Sequence, residues 1–127
     1  HDLQAAFGHV PEPAIPFLAH VLNVTRAEVH GVVSFYHDFR REPAGRHVLK
    51  LCRAEACQSM DGEAFARRML DRFGLDWGGT TPDGRLTIEP TYCLGLCASA
   101  PAAMLDGEPR ARLNDGAIDE IAREVAR

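Results

Sequence analysis

The chain has 127 residues, of which 46% are hydrophobic and 25% are charged, and its formal net charge is −4. This composition is typical of a soluble globular protein and excludes a disordered or fibrous one, and the length suits one ordinary domain with a small helical appendage. The negative charge argues against nucleic acid as the main partner. No apolar run is long enough to cross a bilayer, and no secretory signal opens the sequence. We therefore expect a cytoplasmic protein without direct membrane insertion.

The first part of the chain has a helical pattern. After Pro13, apolar residues recur at intervals of three and four positions, as they do on one face of a helix. They are Ile15, Leu18, Val21 and Leu22. Thr25 and Glu28 form a capping-box sequence, which predicts that another helix starts there. Residues 42–45 have the composition of a turn, so we predict a helical N-terminal segment over residues 1–45.

Residues 46–127 alternate between strand and helix patterns. The predicted strands are residues 47–52, 86–88, 103–105 and 109–113. One predicted helix follows the first strand after a loop, starts near residue 61 and ends at Gly74. The last helix starts at Asn114 or Asp115. Sequences of hairpin turns occur at 83–84 and 106–107, and Pro109 predicts an edge strand. The order β, α, β, β, β, α predicts an α/β domain in which both helices pack on one small sheet.

All four cysteines fall in this second part, as Cys52-x4-Cys57 and Cys93-x3-Cys97. Each pair follows the end of a predicted strand, where loops meet over one edge of a sheet, so we expect the pairs to converge. Four thiolates suit either a tetrahedral zinc ion or a [2Fe–2S] cluster. Gaps of four and three residues favour the cluster over the C-x2-C knuckles of structural zinc. Zinc, disulfides and free thiols remain alternatives, whereas a C-x-x-C redox pair is absent.

Residues near the cysteines fit a negatively charged cluster. Arg53 and Lys50 can supply positive charge, while Gly62 and Gly95 leave the backbone accessible to sulfur. The helix that starts near residue 61 is expected to direct its N-terminal dipole toward the first cysteine loop. All six histidines precede Cys52, and we interpret them as surface or packing residues, not as ligands.

The stretch 31–39, followed by Cys52-x4-Cys57 and Cys93-Leu-Gly-Leu-Cys97, resembles the thioredoxin-like [2Fe–2S] ferredoxin family over nearly the whole chain. This family includes the 24 kDa-type subunit of respiratory complex I, the diaphorase subunit of NAD-reducing hydrogenases, and the gamma subunit of NAD-dependent molybdenum formate dehydrogenases. The resemblance implies an N-terminal helical arm at residues 1–45 and a thioredoxin-like [2Fe–2S] domain at residues 46–127. It also implies that Cys52, Cys57, Cys93 and Cys97 are the cluster ligands.

The resemblance further implies a non-catalytic electron-transfer subunit, without catalytic residues of its own, beside a flavoprotein subunit that binds FMN and NAD(H). Arg53 and the short C-terminus resemble formate dehydrogenase gamma subunits more than complex I members, which more often have threonine after the first cysteine. We therefore prefer a formate dehydrogenase complex. The alternatives are NADH:quinone oxidoreductase or NAD-reducing hydrogenase, and, from other classes, a zinc-stabilised interaction module or a thiol oxidoreductase.

The helical arm is expected to hold the flavoprotein. Phe35, Tyr36 and Phe39 are candidates for that contact, but we expect at least two of them to be core aromatics.

Overall fold

The computed structural model describes residues 1–127, which form two compact units, His1–Ala44 and Gly45–Arg127. The first unit contains α1 (Asp2–Phe7), α2 (Ala14–Leu22) and α3 (Arg26–Phe35). The second unit contains β1 (His47–Cys52), α4 (Glu55–Ser59), α5 (Gly62–Phe73), β2 (Leu86–Thr91), β3 (Ala102–Leu105), β4 (Glu108–Ala111) and α6 (Asp115–Val125). No helix is long and apolar enough to span a bilayer.

The first unit has a small apolar core of its own. The buried residues are Val10, Ile15, Ala19, Val29 and Val33. The capping box predicted at Thr25 is present: the Glu28 carboxylate accepts from the Thr25 N–H at 2.8 Å, and the Thr25 hydroxyl accepts from the Glu28 N–H at 3.2 Å. These bonds satisfy two backbone donors that a helix start leaves free, and so they fix where α3 begins.

The expectation that at least two of the three aromatics pack in the core is wrong. Phe35 is 73% exposed and Tyr36 is 56% exposed, and only Phe39 packs against the core of the first unit. The reason is the position of α3, which buries Val29 and Val33 along one face. Phe35 comes two positions after Val33, about 200° further round the helix, so it points away from that face. Tyr36 follows the end of α3 and has an extended backbone, so it leaves the helix face altogether.

The second unit contains a four-stranded sheet in the order β2-β1-β3-β4. β1 is parallel to β2 and antiparallel to β3, and β3 forms an antiparallel hairpin with β4. Pro109 lies in an edge strand, as the sequence predicts, since β4 ends the sheet. β2 is longer than predicted and includes Pro90, which its place at the other edge allows. Helices and sheet enclose one core of Leu49, Leu51, Phe65, Ala66, Met69, Leu86, Ile88, Ala103, Leu105, Ile118, Ile121 and Val125.

The turn between β3 and β4 also holds the start of β1. Asp106 and Gly107 both have positive φ, 52° and 87°, as in the hairpin turn that their sequence predicts. The Asp106 carboxylate accepts from the Val48 N–H at 2.8 Å and lies 2.6 Å from Nδ1 of His47. The turn therefore connects the hairpin to the central strand through side-chain as well as ladder contacts.

The segment between β1 and α5 differs from the prediction. The sequence predicts a loop there, whereas residues Glu55–Ser59 form the short helix α4. Asp61 then adopts a left-handed conformation, with φ at 60°, and α5 starts at Gly62. A Cβ at Gly62 would collide with the Cys57 carbonyl, whose carbon lies 2.9 Å from the ideal Cβ position. Close helix packing, not accessible backbone as expected from the sequence, is therefore what requires glycine here.

Gly62→Ala is expected to destabilise the second unit by about 1–3 kcal/mol, because the added methyl group must displace the backbone of α4. Trp77 is the sole tryptophan, so its fluorescence during urea unfolding reports on this unit. The matched control is Gly31→Ala, in the middle of α3, where a Cβ meets nothing within 4 Å. It should leave this transition unchanged. Equal transitions for Gly62→Ala and the native chain would contradict the packing argument.

The capping box makes the stability of α3 depend on pH. The Thr25 N–H and then the Thr25 hydroxyl hold the pKa of the Glu28 carboxyl below its usual value. The charged form therefore favours the folded helix. This contribution is fully present above the ordinary glutamate pKa of about 4.3 and is lost as the pH falls through the lower folded value.

In Glu28→Gln, we expect the backbone N–H groups of α3 to exchange hydrogen faster than in the native chain at neutral pH. The reason is that the glutamine side chain lacks the negative charge of the Glu28 carboxylate. The difference should shrink as the pH falls below the glutamate range. A difference that stays the same at low pH would show that the charge of Glu28 is not its cause.

Candidate metal centre

The four cysteines occupy two loops at one edge of the sheet. Cys52 is the last residue of β1 and Cys57 lies in α4, and both are buried. Cys93 follows the end of β2, and Cys97 begins a single 3₁₀ turn; both are exposed. β1 and β2 are parallel, with Cys52 paired to Thr91, so both strands end at the same edge. The convergence expected from the sequence is present.

The thiols lie in two pairs and form no disulfide. The Sγ atoms of Cys93 and Cys97 are 3.6 Å apart, and Cys52 and Cys57 pack together in one buried cluster. The Gly95 N–H donates to Sγ of Cys93 at 3.4 Å. No three His, Cys, Asp or Glu side chains form a group that could hold a single metal ion.

Backbone donors converge on Cys52. Burial raises the pKa of this thiol, but hydrogen bonds outweigh burial and bring the pKa below its ordinary value. The donors are the N–H of Ala54, the Cys57 thiol, and the N–H groups of Cys93 and Leu94. Two of these donors belong to the second cysteine loop. Leu94 and Leu96 of the second loop also pack against the buried cluster of Cys52 and Cys57, so the two loops meet at the first pair of thiols.

The pKa values of Cys57 and Cys97 are raised, so both side chains favour the protonated thiol. Burial raises the pKa of Cys57, and its hydrogen bond to Cys52 raises it further, against an opposing bond from Ala102. The pKa of Cys97 is raised by its hydrogen bond with Cys93 and by the nearby charge of that thiol. Because metals bind thiolates, loading this site must displace these protons.

The donor set suits a [2Fe–2S] cluster. Each iron of such a cluster takes two protein thiolates, and the chain presents its thiols as two pairs. Backbone N–H groups near the sulfurs are the groups that stabilise cluster sulfur by hydrogen bonding. The buried pair packs with apolar residues, which limits access of water: Ala102, Ala54, Leu94, Leu96 and Ala100. The residues present therefore fit the cluster.

Arg53 lies beside the site, but its charge has a partner. Its Nη2 is 3.2 Å from a carboxylate oxygen of Glu63, and its guanidinium carbon lies 4.9 Å from the ring centroid of Trp77. The sequence predicts that Arg53 supplies positive charge to the cluster without predicting this pair. Residue spacing could not predict that Glu63 and Trp77 contact Arg53, because the packing of α5 and of the loop after it brings both residues to Arg53.

Other residues singled out from the sequence have ordinary surroundings. Gly95 has φ of 76°, so a tight turn requires it, and its N–H also reaches Cys93. The start of α5 lies against the Cys57 backbone, as expected for the helix near the first loop. Among the histidines, His47 pairs with Asp106 at 2.6 Å, away from the thiols.

The matching family model is the thioredoxin-like [2Fe-2S] ferredoxin, over residues 1–126. The chain is 38% identical over 106 residues to an NADH-quinone oxidoreductase subunit from Pseudomonas aeruginosa, and the match covers 84% of this chain and 64% of that relative. It is 32% identical over 124 residues to the NADP-reducing hydrogenase subunit HndA from Solidesulfovibrio fructosivorans, and that match covers 98% of this chain and 72% of the relative.

Two solved structures share the fold. An NAD⁺-reducing [NiFe]-hydrogenase in the air-oxidised state superposes with a TM-score of 0.83 and 26% identity, over 98% of this chain and 22% of that chain. A thioredoxin-like [2Fe-2S] ferredoxin from Aquifex aeolicus superposes with a TM-score of 0.52 over 64% of this chain and 80% of that chain; at 15% identity it supports the fold alone. The predicted thioredoxin-like α/β fold is confirmed, and this chain belongs to the thioredoxin-like [2Fe-2S] ferredoxin family.

Proposed function

We propose that this chain is a non-catalytic electron-transfer subunit of an oxidoreductase complex of the NADH:quinone oxidoreductase or NAD(P)-linked hydrogenase type. It carries one [2Fe–2S] cluster and exchanges electrons with a flavoprotein subunit that binds FMN and NAD(H). The observation that carries the proposal is the pair of converging cysteine loops in a chain of this family. The relatives named above are subunits of complexes with those two activities, which supports the choice of complex.

The preference for formate dehydrogenase is therefore replaced by its alternative, which the relatives support better. That preference depended largely on Arg53 after the first cysteine. Arg53 is paired with Glu63 and stacked on Trp77, so its identity follows from local packing in this unit. A residue with such a local role says little about which larger complex contains the chain.

Cys52, Cys57, Cys93 and Cys97 would hold the cluster, two thiolates to each iron. When bound, the cluster accepts and releases one electron at a time. The chain's own contribution is to supply the thiolates, direct N–H groups at them and limit water at the buried pair. The paired thiols and the family match support the cluster over the zinc-stabilised module.

Metal analysis and spectroscopy test this proposal. Anaerobic reconstitution of the full chain should yield about two iron and two sulfide per chain, with visible absorption that dithionite bleaches and a reduced-cluster EPR signal. Stoichiometric zinc without visible absorption would instead support the interaction module. Dithiol–disulfide turnover with model substrates, without iron, would support the thiol oxidoreductase.

Cys97→Ser is expected to abolish or greatly weaken cluster assembly, because a hydroxyl replaces one of the four thiolates. Iron and sulfide content and the EPR signal after identical reconstitution measure the effect. The control is Ala98→Ser, at the exposed neighbouring position, which introduces the same side chain without removing a thiol. It should load normally. An unchanged EPR spectrum in Cys97→Ser would remove Cys97 from the ligand set.

We further propose that residues 1–45 form an arm that contacts the flavoprotein and that residues 46–127 carry the cluster. The first unit exposes apolar side chains that its own core leaves uncovered, among them Phe35, Val32 and Leu22, exposed by 73%, 48% and 61%. They line an open apolar groove in this unit together with part of its core. A flavoprotein surface that covers this groove would remove the apolar area from water.

Phe35→Asp is expected to reduce the flavin that copurifies with the tagged chain from its native host, because a charge would have to be buried in the contact. FMN per chain, measured by fluorescence after denaturation, gives the result. Glu42→Asp, which keeps the charge at the end of the same unit, is the control. Full FMN recovery with Phe35→Asp would exclude Phe35 from the contact.

A further inference from the structure

Arg53 and Glu63 form a charge pair, and each is next in the chain to a residue of the first cysteine pair or one that touches it: Arg53 follows Cys52, and Glu63 follows Gly62, which lies against the Cys57 backbone. The Arg53 guanidinium donates from Nε and Nη2 to the two Glu63 oxygens at 3.3 and 3.4 Å. The guanidinium also lies over the Trp77 ring, 4.9 Å from the centroid. The side chain of Arg53 is 29% exposed and that of Glu63 is 43% exposed, so water screens the pair only in part.

The main chain of Arg53 is held on both sides. Its N–H donates to the Thr91 carbonyl at 2.8 Å, at the end of β2. Its carbonyl accepts from Nε2 of Gln58 at 2.6 Å, next to Cys57 in α4. The residue therefore connects the first cysteine loop to the strand end that leads into the second loop. These two bonds fix the main chain of Arg53, and the contacts with Glu63 and Trp77 hold its guanidinium.

We propose that the charges of Arg53 and Glu63 shift the reduction potential of the cluster in opposite directions. The inference rests on the cluster proposed above. Reduction adds one electron, supplied by the reduced flavin of the partner or by dithionite in the assay, and breaks no bond. The added negative charge is favoured by a nearby cation and disfavoured by a nearby anion. Arg53 raises the potential, Glu63 lowers it, and Trp77 holds the guanidinium in place.

The two charges are close enough to cancel in large part. Removing one member exposes the site to the charge of the other, whereas removing both leaves the net charge near the site unchanged. Opposite shifts in the single variants, with recovery in the double variant, are therefore the signature of an electrostatic role. A purely structural role would disturb the loop in the same sense whichever partner is removed.

The experiment is an EPR-monitored redox titration of the full reconstituted chain. Glu63→Gln should raise the midpoint potential, Arg53→Gln should lower it, and the double variant should lie between them. Arg53→Lys keeps the charge and should stay closer to the native potential than Arg53→Gln. Shifts of the same sign in both single variants, or none in either, would overturn the proposal. If Arg53→Gln takes up no cluster, the other two variants decide. A raised midpoint potential in Glu63→Gln, together with a near-native potential in Arg53→Lys, supports the proposal, and any other pattern of potentials overturns it.

The pair Arg110–Glu124 provides a matched control in the same unit. Its side chains are 30% and 40% exposed, close to those of Arg53 and Glu63, and its atoms approach to 2.9 Å. Arg110 lies in β4, which β3 separates from β1. Glu124→Gln should therefore move the potential less than Glu63→Gln, and an equal rise would overturn the assignment of the effect to Glu63.

Iron and sulfide content separates failure of this inference from failure of the proposed function. A native chain that binds no iron and sulfide overturns both. A native chain that loads normally, with variants that also load but show the wrong pattern of potentials, overturns the role of Arg53 and Glu63 alone. Far-UV circular dichroism of each variant before loading verifies that the second unit is folded; Trp77 fluorescence is unsuitable, because replacing Arg53 alters the surroundings of Trp77 directly.

Discussion

The parallel pairing of β1 with β2 is the constraint on which the candidate metal centre depends. Parallel strands end at the same edge of a sheet, so a cysteine at the end of β1 and another just after β2 are brought close although 40 residues lie between Cys52 and Cys93 in the sequence. The ladder continues beyond the cysteine through the bond from the Arg53 N–H to the Thr91 carbonyl, at 2.8 Å. Any slip of this register would separate the two pairs of thiols.

Sulfur placed at such an edge needs donors, because burial alone disfavours the thiolate. At Cys52, burial is opposed by N–H groups of Ala54, Cys93 and Leu94, and the balance lowers the pKa of the thiol. The same groups that favour thiolate are suited to stabilise the sulfur of a bound cluster. Within the first pair, backbone N–H groups thus favour the thiolate at Cys52, whereas the raised pKa of Cys57 favours the thiol; the second pair lies exposed at the surface.

The two units differ in how much apolar surface each buries in its own core, as is expected of a subunit of a larger assembly. The second unit encloses a core of its own between helices and sheet. The first unit has a much smaller core and leaves Phe35 and Tyr36 largely exposed. Exposed aromatic side chains of this kind gain most from burial against a partner. This distribution agrees with a cluster-bearing unit and an arm that binds another subunit.

The sequence by itself determined the order of the four strands and of the two long helices of the second unit, the capping box of α3, the hairpin at 106–107 and the set of four thiols, because each follows from local spacing or turn chemistry. Family resemblance was needed to choose iron–sulfur over zinc. Only the tertiary structure decided what depends on contacts between distant segments: the helix α4 within the first cysteine loop, the glycine that allows α5 to approach Cys57, and the pairing of Arg53 with Glu63 over Trp77. No local pattern encodes these, since each partner is brought to the site by the packing of a different element.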